Sequence, residues 1–178
     1  RIVRLTPRTR QTLMFSATLL PEIRVFADAF LSDPKEICVD PPASTAAQVA
    51  QGMMVVDAGH KRKALRFLLK QYNINNALIF CNRKRDVDIL EKSLSKHGFN
   101  AATLHGDMPQ TSRLDTLVRF KENKVDFLVA SDVAARGLDI ESISHVVNFD
   151  LPDSPEDYVH RIGRTARAGA SGNAISLV

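Results

Sequence analysis

The chain has 178 residues with a hydrophobic content of 44%, which suits one full domain with a buried core and a remnant besides. Its formal net charge of +4 permits a polyanionic partner without requiring one, since acidic residues are interspersed with the basic ones. No apolar run approaches the ~18 residues of a membrane span, and neither Cys38 nor Cys81 has the spacing of a zinc site. We therefore exclude an integral membrane helix and a zinc module, and we expect a cytoplasmic protein in a reducing compartment.

Residues 1–39 predict only part of a domain. Short strand patterns at 12–15 and 36–39 flank a helical pattern at 21–31, and together these are too little to bury a core. The paired prolines and small residues at 40–47 predict an extended linker. We expect a remnant of a preceding domain at 1–39, a linker at 40–47 and one complete domain at 48–178.

From residue 48 onward, short apolar runs alternate with helical patterns. The apolar runs predict strands at 53–56, 77–81, 101–104, 127–130, 146–149 and 174–178. The helical patterns cover 61–72, 86–97 and 110–121. This alternation predicts an α/β fold, with a parallel sheet covered by helices and ligands bound beyond the carboxyl ends of its strands.

Polar and cationic groups follow three of these strands. The loop at 82–85 is cationic, and Ser131 with Asp132 follows the strand at 127–130. After the strand at 101–104, a turn leads to a helix on which Gln110 and Arg113 lie one turn apart. Each pattern alone also fits an ordinary helix cap or solvated loop. Three such patterns at one edge of a sheet jointly favour a site for a polyanion.

The last helical pattern carries a row of arginines. Ser154 as the N-cap, followed by proline and two acids, predicts a helix that begins there and ends at Gly169. On such a helix Arg161, Arg164 and Arg167 share an arc about 120° wide. Such a face is suited to binding an anion, and a solvated basic surface is the alternative.

The order and spacing of five segments resemble the later motifs of DEAD-box RNA helicases over essentially the whole chain. They are Ser-Ala-Thr at 16–18, Phe80 with Asn82, Gln-Thr-Ser-Arg at 110–113, and the longer runs at 131–140 and 160–167. The resemblance implies the P-loop NTPase helicase fold: a RecA-like second domain, preceded by the last portion of the first. It also implies unwinding or remodelling of short RNA duplexes by ATP-driven closure of the two domains.

The resemblance further implies roles for particular residues. Arg164 and Arg167 would be arginine fingers on the γ-phosphate of ATP, while Asp139 would accept a hydrogen bond from the ribose and Gly137 would let the backbone approach the nucleotide. The residues implied for the RNA path are Arg83, Gly106, Arg113, Ser131 and Asp132. Those implied for coupling the nucleotide cleft to the RNA groove are Ser16, Thr18, Phe80, His160 and Arg161, with Phe80 packed near Arg161.

Three departures from the family pattern matter. Ser131 replaces the commoner threonine and keeps its hydroxyl. Ala166 stands where the family usually has glycine, and we expect this alanine to stabilise the predicted helix by up to ~1 kcal/mol. The sequence has no phosphate-loop motif and no Asp-Glu-Ala-Asp run. We therefore expect Mg²⁺ to be held by the first domain, and we do not expect this chain alone to hydrolyse ATP.

Two other functions remain as alternatives. One is a non-catalytic module that binds RNA or a protein partner, and the other is a helicase-fold relative that acts on DNA. The arginine fingers argue against the first, since they serve a nucleotide across a cleft. The residues of the motifs at 131–140 and 160–167 resemble those of the RNA-acting branch, which argues against a relative that acts on DNA. Contacts to phosphate and sugar would make RNA binding largely independent of sequence.

Overall fold

The computed structural model describes residues 2–7, 9–16, 21–38, 48–135, 143–166 and 170–178. The chain divides into two compact units, Arg1–Pro41 and Pro42–Val178. The boundary between them falls within 40–47, the segment whose composition predicts a linker. None of the described helices is long and apolar enough to cross a bilayer.

The smaller unit contains a 3₁₀ turn at Ile2–Leu5 and helix α1 at Pro21–Phe30. No residue of α1 is buried. The strands predicted at 12–15 and 36–39 are wrong, because residues 12–15 and 36–38 adopt no regular structure and residue 39 lies outside the described part. A strand needs a neighbour to bond with, and the described residues of this unit supply none.

The larger unit is built on a six-stranded sheet in the order β1-β6-β5-β2-β4-β3. The strands are β1 (Val49–Met54), β2 (Ala77–Phe80), β3 (Ala101–Leu104), β4 (Phe127–Ala130), β5 (His145–Asn148) and β6 (Gly172–Leu177). All five strand pairings are parallel. Every residue of β2 and β4 is buried, as expected for a parallel sheet covered on both faces. The predicted α/β fold is confirmed.

Helices cover both faces of the sheet. They are α2 (Lys61–Gln71), α3 (Lys84–Lys96), α4 (Gln110–Lys121), α5 (Asp132–Ala135) and α6 (Pro155–Ile162). Helices α2 and α3 pack leucines such as Leu65 and Leu90 against Ile79 on one face. On the other face, Phe120 of α4 belongs to the cluster around Leu78. Because successive strand residues point to opposite faces, β2 contributes to both clusters.

The register of the strands aligns their carboxyl ends. Phe80 of β2 lies opposite Ala130 of β4 and Asn148 of β5, and Leu104 of β3 also lies opposite Ala130. The four loops that follow these strands therefore begin at one level along a single edge of the sheet. This is the edge at which the sequence predicts a site.

Helix α6 begins as predicted and ends early. The hydroxyl of Ser154 accepts a hydrogen bond from the Asp157 backbone N–H at 3.1 Å, which confirms the N-cap. The helix ends at Ile162 with Gly163 as its C-cap, so the prediction that it continues to Gly169 is wrong. Thr165 instead forms a parallel bridge with Ile143, and its hydroxyl donates to the Ile143 carbonyl, which draws the chain away from the helix axis.

The prediction that Ala166 stabilises the helix is also wrong. Ala166 lies beyond the helix, with φ at 55°, in the left-handed region that favours glycine. The left-handed backbone conformation costs an alanine a free energy of roughly 1–2 kcal/mol. Because the helix has already ended, Ala166 cannot stabilise it. Its burial among Val49, Ile162 and Ala174 offsets part of that cost.

Gly172 allows β6 to pass close to the turn after α6. A Cβ at this position would lie 2.2 Å from Thr165 Oγ1 and 2.7 Å from Ala166 N. Thr165 is fully buried and held by hydrogen bonds. We expect Gly172→Ala to lower the free energy of unfolding by about 1–3 kcal/mol, measured by urea denaturation. Gly52→Ala is the matched control, since no atom lies within 4 Å of its added Cβ. Equal effects of the two substitutions would contradict the packing described.

Candidate functional site

Arg161 is the centre of a buried polar network at the carboxyl edge of the sheet. Its side chain is 1% exposed. Nε and Nη2 donate to the two carboxylate oxygens of Asp132, each at 2.6 Å. Nη2 also donates to Asn82 Oδ1 at 2.7 Å, and Nη1 donates to the Asp150 carbonyl at 2.6 Å and to Asn148 Oδ1 at 3.3 Å. The guanidinium is thus held on every side by acceptors.

The predicted contact between Phe80 and Arg161 is present. The guanidinium carbon lies 5.0 Å from the centroid of the Phe80 ring, within the range of a cation–π interaction. Phe80 is 2% exposed, so the face of its ring provides a buried apolar surface against which the guanidinium packs. A buried cation on such a surface requires a paired anion, and Asp132 supplies it.

The network joins four separate parts of the chain. Asn82 follows β2, Asp132 begins α5 after β4, Asn148 ends β5, and Asp150 lies in the next loop. Arg161 itself comes from α6. One side chain therefore fixes three loops at the carboxyl edge relative to one another and to the helix that precedes Arg164.

This geometry corrects two predictions. Arg161, Arg164 and Arg167 do not form one helical face, since Arg164 lies in the turn beyond α6 and Arg167 lies outside the described residues. Arg161 is buried against Asp132 and does not present its charge to an external anion. Both carboxylate oxygens of Asp132 accept from Arg161, and the place of Asp132 on an RNA path stays a prediction.

Two participants were missed by the sequence predictions. Asn148 is fully buried at the end of an apolar strand, and its amide donates to Ser176 Oγ at 3.1 Å. Asp150 accepts from the backbone N–H of Asn82 at 3.2 Å through Oδ2, in addition to its carbonyl contact with Arg161. An asparagine inside a buried strand must find a partner, and that requirement was the available signal for Asn148.

Arg164 and His160 lie beside the network. Both line a narrow crevice that is also bounded by Phe80, Asp132 and Asp157. His160 is exposed and Arg164 is partly exposed. The turn after α6 therefore places a second arginine next to the buried one, at the edge where the loops meet.

A second cluster surrounds the loop after β3. His105 Nε2 lies 3.1 Å from Asp88 Oδ1, and Arg113 Nη1 donates to Gln110 Oε1 at 3.2 Å. His105 Nδ1 and Arg113 Nε are buried and have no hydrogen-bond partner among the described residues. Buried polar atoms left without partners are costly, so this loop retains unused hydrogen-bonding capacity.

Exposed cationic groups lie beside the same loop. Lys84 Nζ lies 2.7 Å from Asp107, and this hydrogen bond lowers the pKa of the Asp107 carboxyl below its ordinary value. Gly106 is exposed, and a Cβ there would meet no atom within 4 Å. Arg83 is exposed and Ser131 partly exposed on the neighbouring loops. These groups form an open surface that can approach a phosphodiester backbone.

Several predicted site residues lie outside the described part of the chain. They are Thr18, Gly137, Asp139 and Arg167. Ser16 is exposed in the smaller unit. Cys81 is buried just after β2, and burial raises the pKa of its thiol above the ordinary range, so it is an inert core residue. Among the described residues, no group of three or more His, Cys, Asp or Glu side chains could hold a metal ion.

Comparison with known proteins decides the family. Residues 60–169 match the helicase conserved C-terminal domain family. The chain is 44% identical over 177 residues to the ATP-dependent RNA helicase CshA of Listeria monocytogenes, covering 99% of this chain and 34% of that protein. It is 44% identical over 179 residues to the ATP-dependent RNA helicase RhlB of Pseudomonas syringae, covering 99% and 45%. The chain belongs to the DEAD-box helicase family.

Solved structures agree with this DEAD-box assignment. Dbp5 of S. cerevisiae bound to RNA and ADP BeF3 matches with a TM-score of 0.84 at 30% identity, over 99% of this chain and 47% of that chain. The E. coli DEAD-box protein SrmB bound to the regulator RraA matches with a TM-score of 0.68 at 45% identity, over 73% and 76%. The six-stranded unit is thus the RecA-like C-terminal domain of a DEAD-box protein. The chain spans about a third of the length of the CshA relatives that it matches.

Proposed function

We propose that the chain supplies the second RecA-like domain of an ATP-dependent RNA helicase. In this proposal, ATP and RNA bind in the cleft between two such domains and draw them together, and the bent RNA strand no longer fits a duplex. Residues 1–39 would be the last portion of the first domain and 40–47 the linker. The protein would act in the cytoplasm.

The observation that carries the proposal is the Arg161 network. Through Asp132 it holds the loop that contains Ser131, and through α6 it holds the turn that contains Arg164. We propose that Ser131 belongs to the RNA path and Arg164 to the ATP site, with Arg161, Phe80 and His160 between them. A chain of packed and hydrogen-bonded groups of this kind can carry coupling between an ATP site and an RNA site.

Arg164 would stabilise the negative charge that develops on the transferring phosphate. A guanidinium carries a fixed charge and a planar set of donors, and in a water-poor cleft both favour the transition state. Arg167 would act together with Arg164. Asp139 would accept a hydrogen bond from the ribose, and Gly137 would let the backbone approach the nucleotide closely. We propose that the first domain supplies the protein ligands of Mg²⁺, and we assign that ion no step in this chain.

The RNA path would run along the exposed groups of the carboxyl edge. Arg83 and Arg113 would contact phosphates, Gly106 would allow close approach, and Ser131 would bind backbone oxygens. Asp132 would act indirectly, through Arg161. Contacts of this kind carry no sequence information, so binding would be insensitive to base sequence and sensitive to salt. The 2′-hydroxyl would allow a preference for RNA over DNA.

Gly106→Ala tests the RNA path without disturbing the fold. Since the added Cβ meets no atom of this chain within 4 Å, we expect a change in the free energy of unfolding below about 0.5 kcal/mol. A methyl group that obstructs one phosphate contact is expected to weaken RNA binding about tenfold. Filter binding with a single-stranded RNA and urea denaturation give the two values. Unchanged RNA affinity would remove Gly106 from the path.

The proposal is tested in a chimera that joins this chain to the preceding part of the Listeria monocytogenes relative. ATP turnover is measured with and without single-stranded RNA, beside this chain alone. We expect turnover by the chimera that RNA stimulates, and none by this chain alone. RNA binding by a chimera that shows no ATP turnover would instead favour the non-catalytic binding module. Turnover by this chain alone would contradict the proposed division of roles.

A further inference from the structure

A basic groove lies between α2 and α3, on the face of the sheet that these helices cover. It consists of two adjoining surface depressions of about 360 and about 500 Å³, which share Lys63, Arg66 and His97. The other lysines and arginines that line it are Arg62, Lys70, Lys92 and Lys96. Within the described part of the chain, no aspartate or glutamate lines either depression. We call this surface the α2–α3 groove.

The cations of the groove have no acidic partners among the described residues. Arg66 donates to Ser93 Oγ at 3.1 Å, and Lys70 lies 5.7 Å from the centroid of the Phe99 ring. Arg62, Arg66 and Lys70 follow one another at intervals of four residues, so like charges repel along one row of α2. Lys61, at the start of the same helix, instead donates from its ammonium to the Phe149 and Leu177 carbonyls. An anionic ligand would relieve the repulsion in the row.

The groove also has apolar positions. Phe67 is 59% exposed and Ile89 is 39% exposed, and each lines one of the two depressions. Helix α2 has 11 residues and is therefore about 16 Å long, which matches roughly three turns of a docked helix. Cations spaced one turn apart beside exposed apolar side chains complement a helix with acids in one row and leucines in the next.

The His97 end of the groove lies away from the proposed RNA path, whereas Arg62 follows Lys61, whose ammonium donates to carbonyls at the carboxyl edge. Helix α3 begins after β2 at the carboxyl edge and runs back along the sheet, so His97 lies toward the opposite edge from Gly106 and Arg113. Among the described residues that line the two depressions, only Phe67 and His97 carry aromatic rings, so the groove lacks the longer run of stacking platforms typical of single-stranded RNA sites. These observations favour a protein ligand over RNA.

We propose that the α2–α3 groove docks an acidic amphipathic helix of a partner protein. The proposal goes beyond the helicase function and does not depend on ATP. The cations would pair with carboxylates at intervals of one turn, while Phe67 and Ile89 would contact apolar side chains between them. Exposed charge pairs are individually weak, so recognition would come from several pairs together with the apolar contacts.

Fluorescence anisotropy with this chain tests the proposal. The probe is a labelled helical peptide of four Glu-Ala-Gln-Leu repeats, whose glutamates form one row and whose leucines form the next. We expect Lys63→Glu with Lys92→Glu to weaken binding by about tenfold or more, since attraction becomes repulsion at two positions. The control is Arg119→Glu with Lys124→Glu, which makes the same change of charge outside the groove and is expected to leave affinity within about twofold.

A third variant separates docking from diffuse attraction. Phe67→Ser is expected to weaken binding of the leucine-containing peptide, and to leave unchanged the weaker binding of a Glu-Ala-Gln-Ala peptide. Equal losses in the groove and control variants, or no binding, would overturn the proposal. Displacement of the peptide by an oligouridylate, with the same dependence on Lys63 and Lys92, would overturn it too and would assign the groove to RNA.

Discussion

Arg161→Ala is expected to lower the free energy of unfolding of the larger unit by about 3–5 kcal/mol, because it leaves the Asp132 carboxylate without its partner in a largely buried site. The substitution also removes the donors to Asn82, Asn148 and the Asp150 carbonyl, together with the packing on Phe80. Urea denaturation of this chain, followed by circular dichroism, gives the value.

Two companion variants make the Arg161 prediction specific. Arg119→Ala removes an exposed arginine from α4 and is expected to change stability by less than about 0.5 kcal/mol. Asp132→Asn breaks the same pair from the other side, so its effect and that of Arg161→Ala are expected to be non-additive by about 1 kcal/mol or more. Additive effects, or a loss below about 1 kcal/mol for Arg161→Ala, would contradict the central place of Arg161.

Arg164→Ala is expected to reduce ATP turnover of the chimera by about 10³-fold or more, the loss seen when an arginine finger is removed from a phosphoryl-transfer site. RNA affinity measured without nucleotide is expected to stay within about threefold of the unsubstituted chimera, since Arg164 lies in the turn after α6 and not on the proposed RNA path. Steady-state turnover at saturating ATP and RNA, with a separate RNA-binding titration, gives both values.

Matched variants distinguish the finger role of Arg164 from a general effect of charge. Arg164→Lys keeps the charge and loses the planar donors, so we expect it to recover little of the turnover. Arg119→Ala is the control for removing an arginine elsewhere on the domain. If the chimera with Arg164→Ala turns over ATP at the unsubstituted rate, Arg164 is not the arginine finger.

Most of the fold could be predicted from the sequence, because local patterns determine it. The strands at 101–104 and 127–130 and the helix at 110–121 occur within the predicted bounds, since each combines one hydrophobic period with clear stops. The predicted strands at 12–15 and 36–39 had a similar pattern but no neighbouring strand among the described residues of their unit. A strand depends on its partner, and a short apolar run does not show whether one is present.

The site was less predictable, because its geometry depends on contacts that are distant in sequence. The helical spacing predicts that Arg161 shares one arc with Arg164 and Arg167, and it does not indicate that Arg161 is buried. Its acceptors lie between 11 and 79 residues away in the chain, and no local pattern reports them. The early end of α6 has the same origin, since the bridge from Thr165 to Ile143 competes with further helix. Gly163 was the local signal that the helix could end there.

The affinity of the chimera for single-stranded RNA, with and without ADP and beryllium fluoride, tests the central claim most directly. If one cleft binds both ligands and the Arg161 network links their sites, the nucleotide complex is expected to tighten RNA binding by about tenfold or more, a typical coupling between sites. An RNA affinity that is the same with and without the nucleotide complex would contradict the claim that this domain couples ATP to RNA.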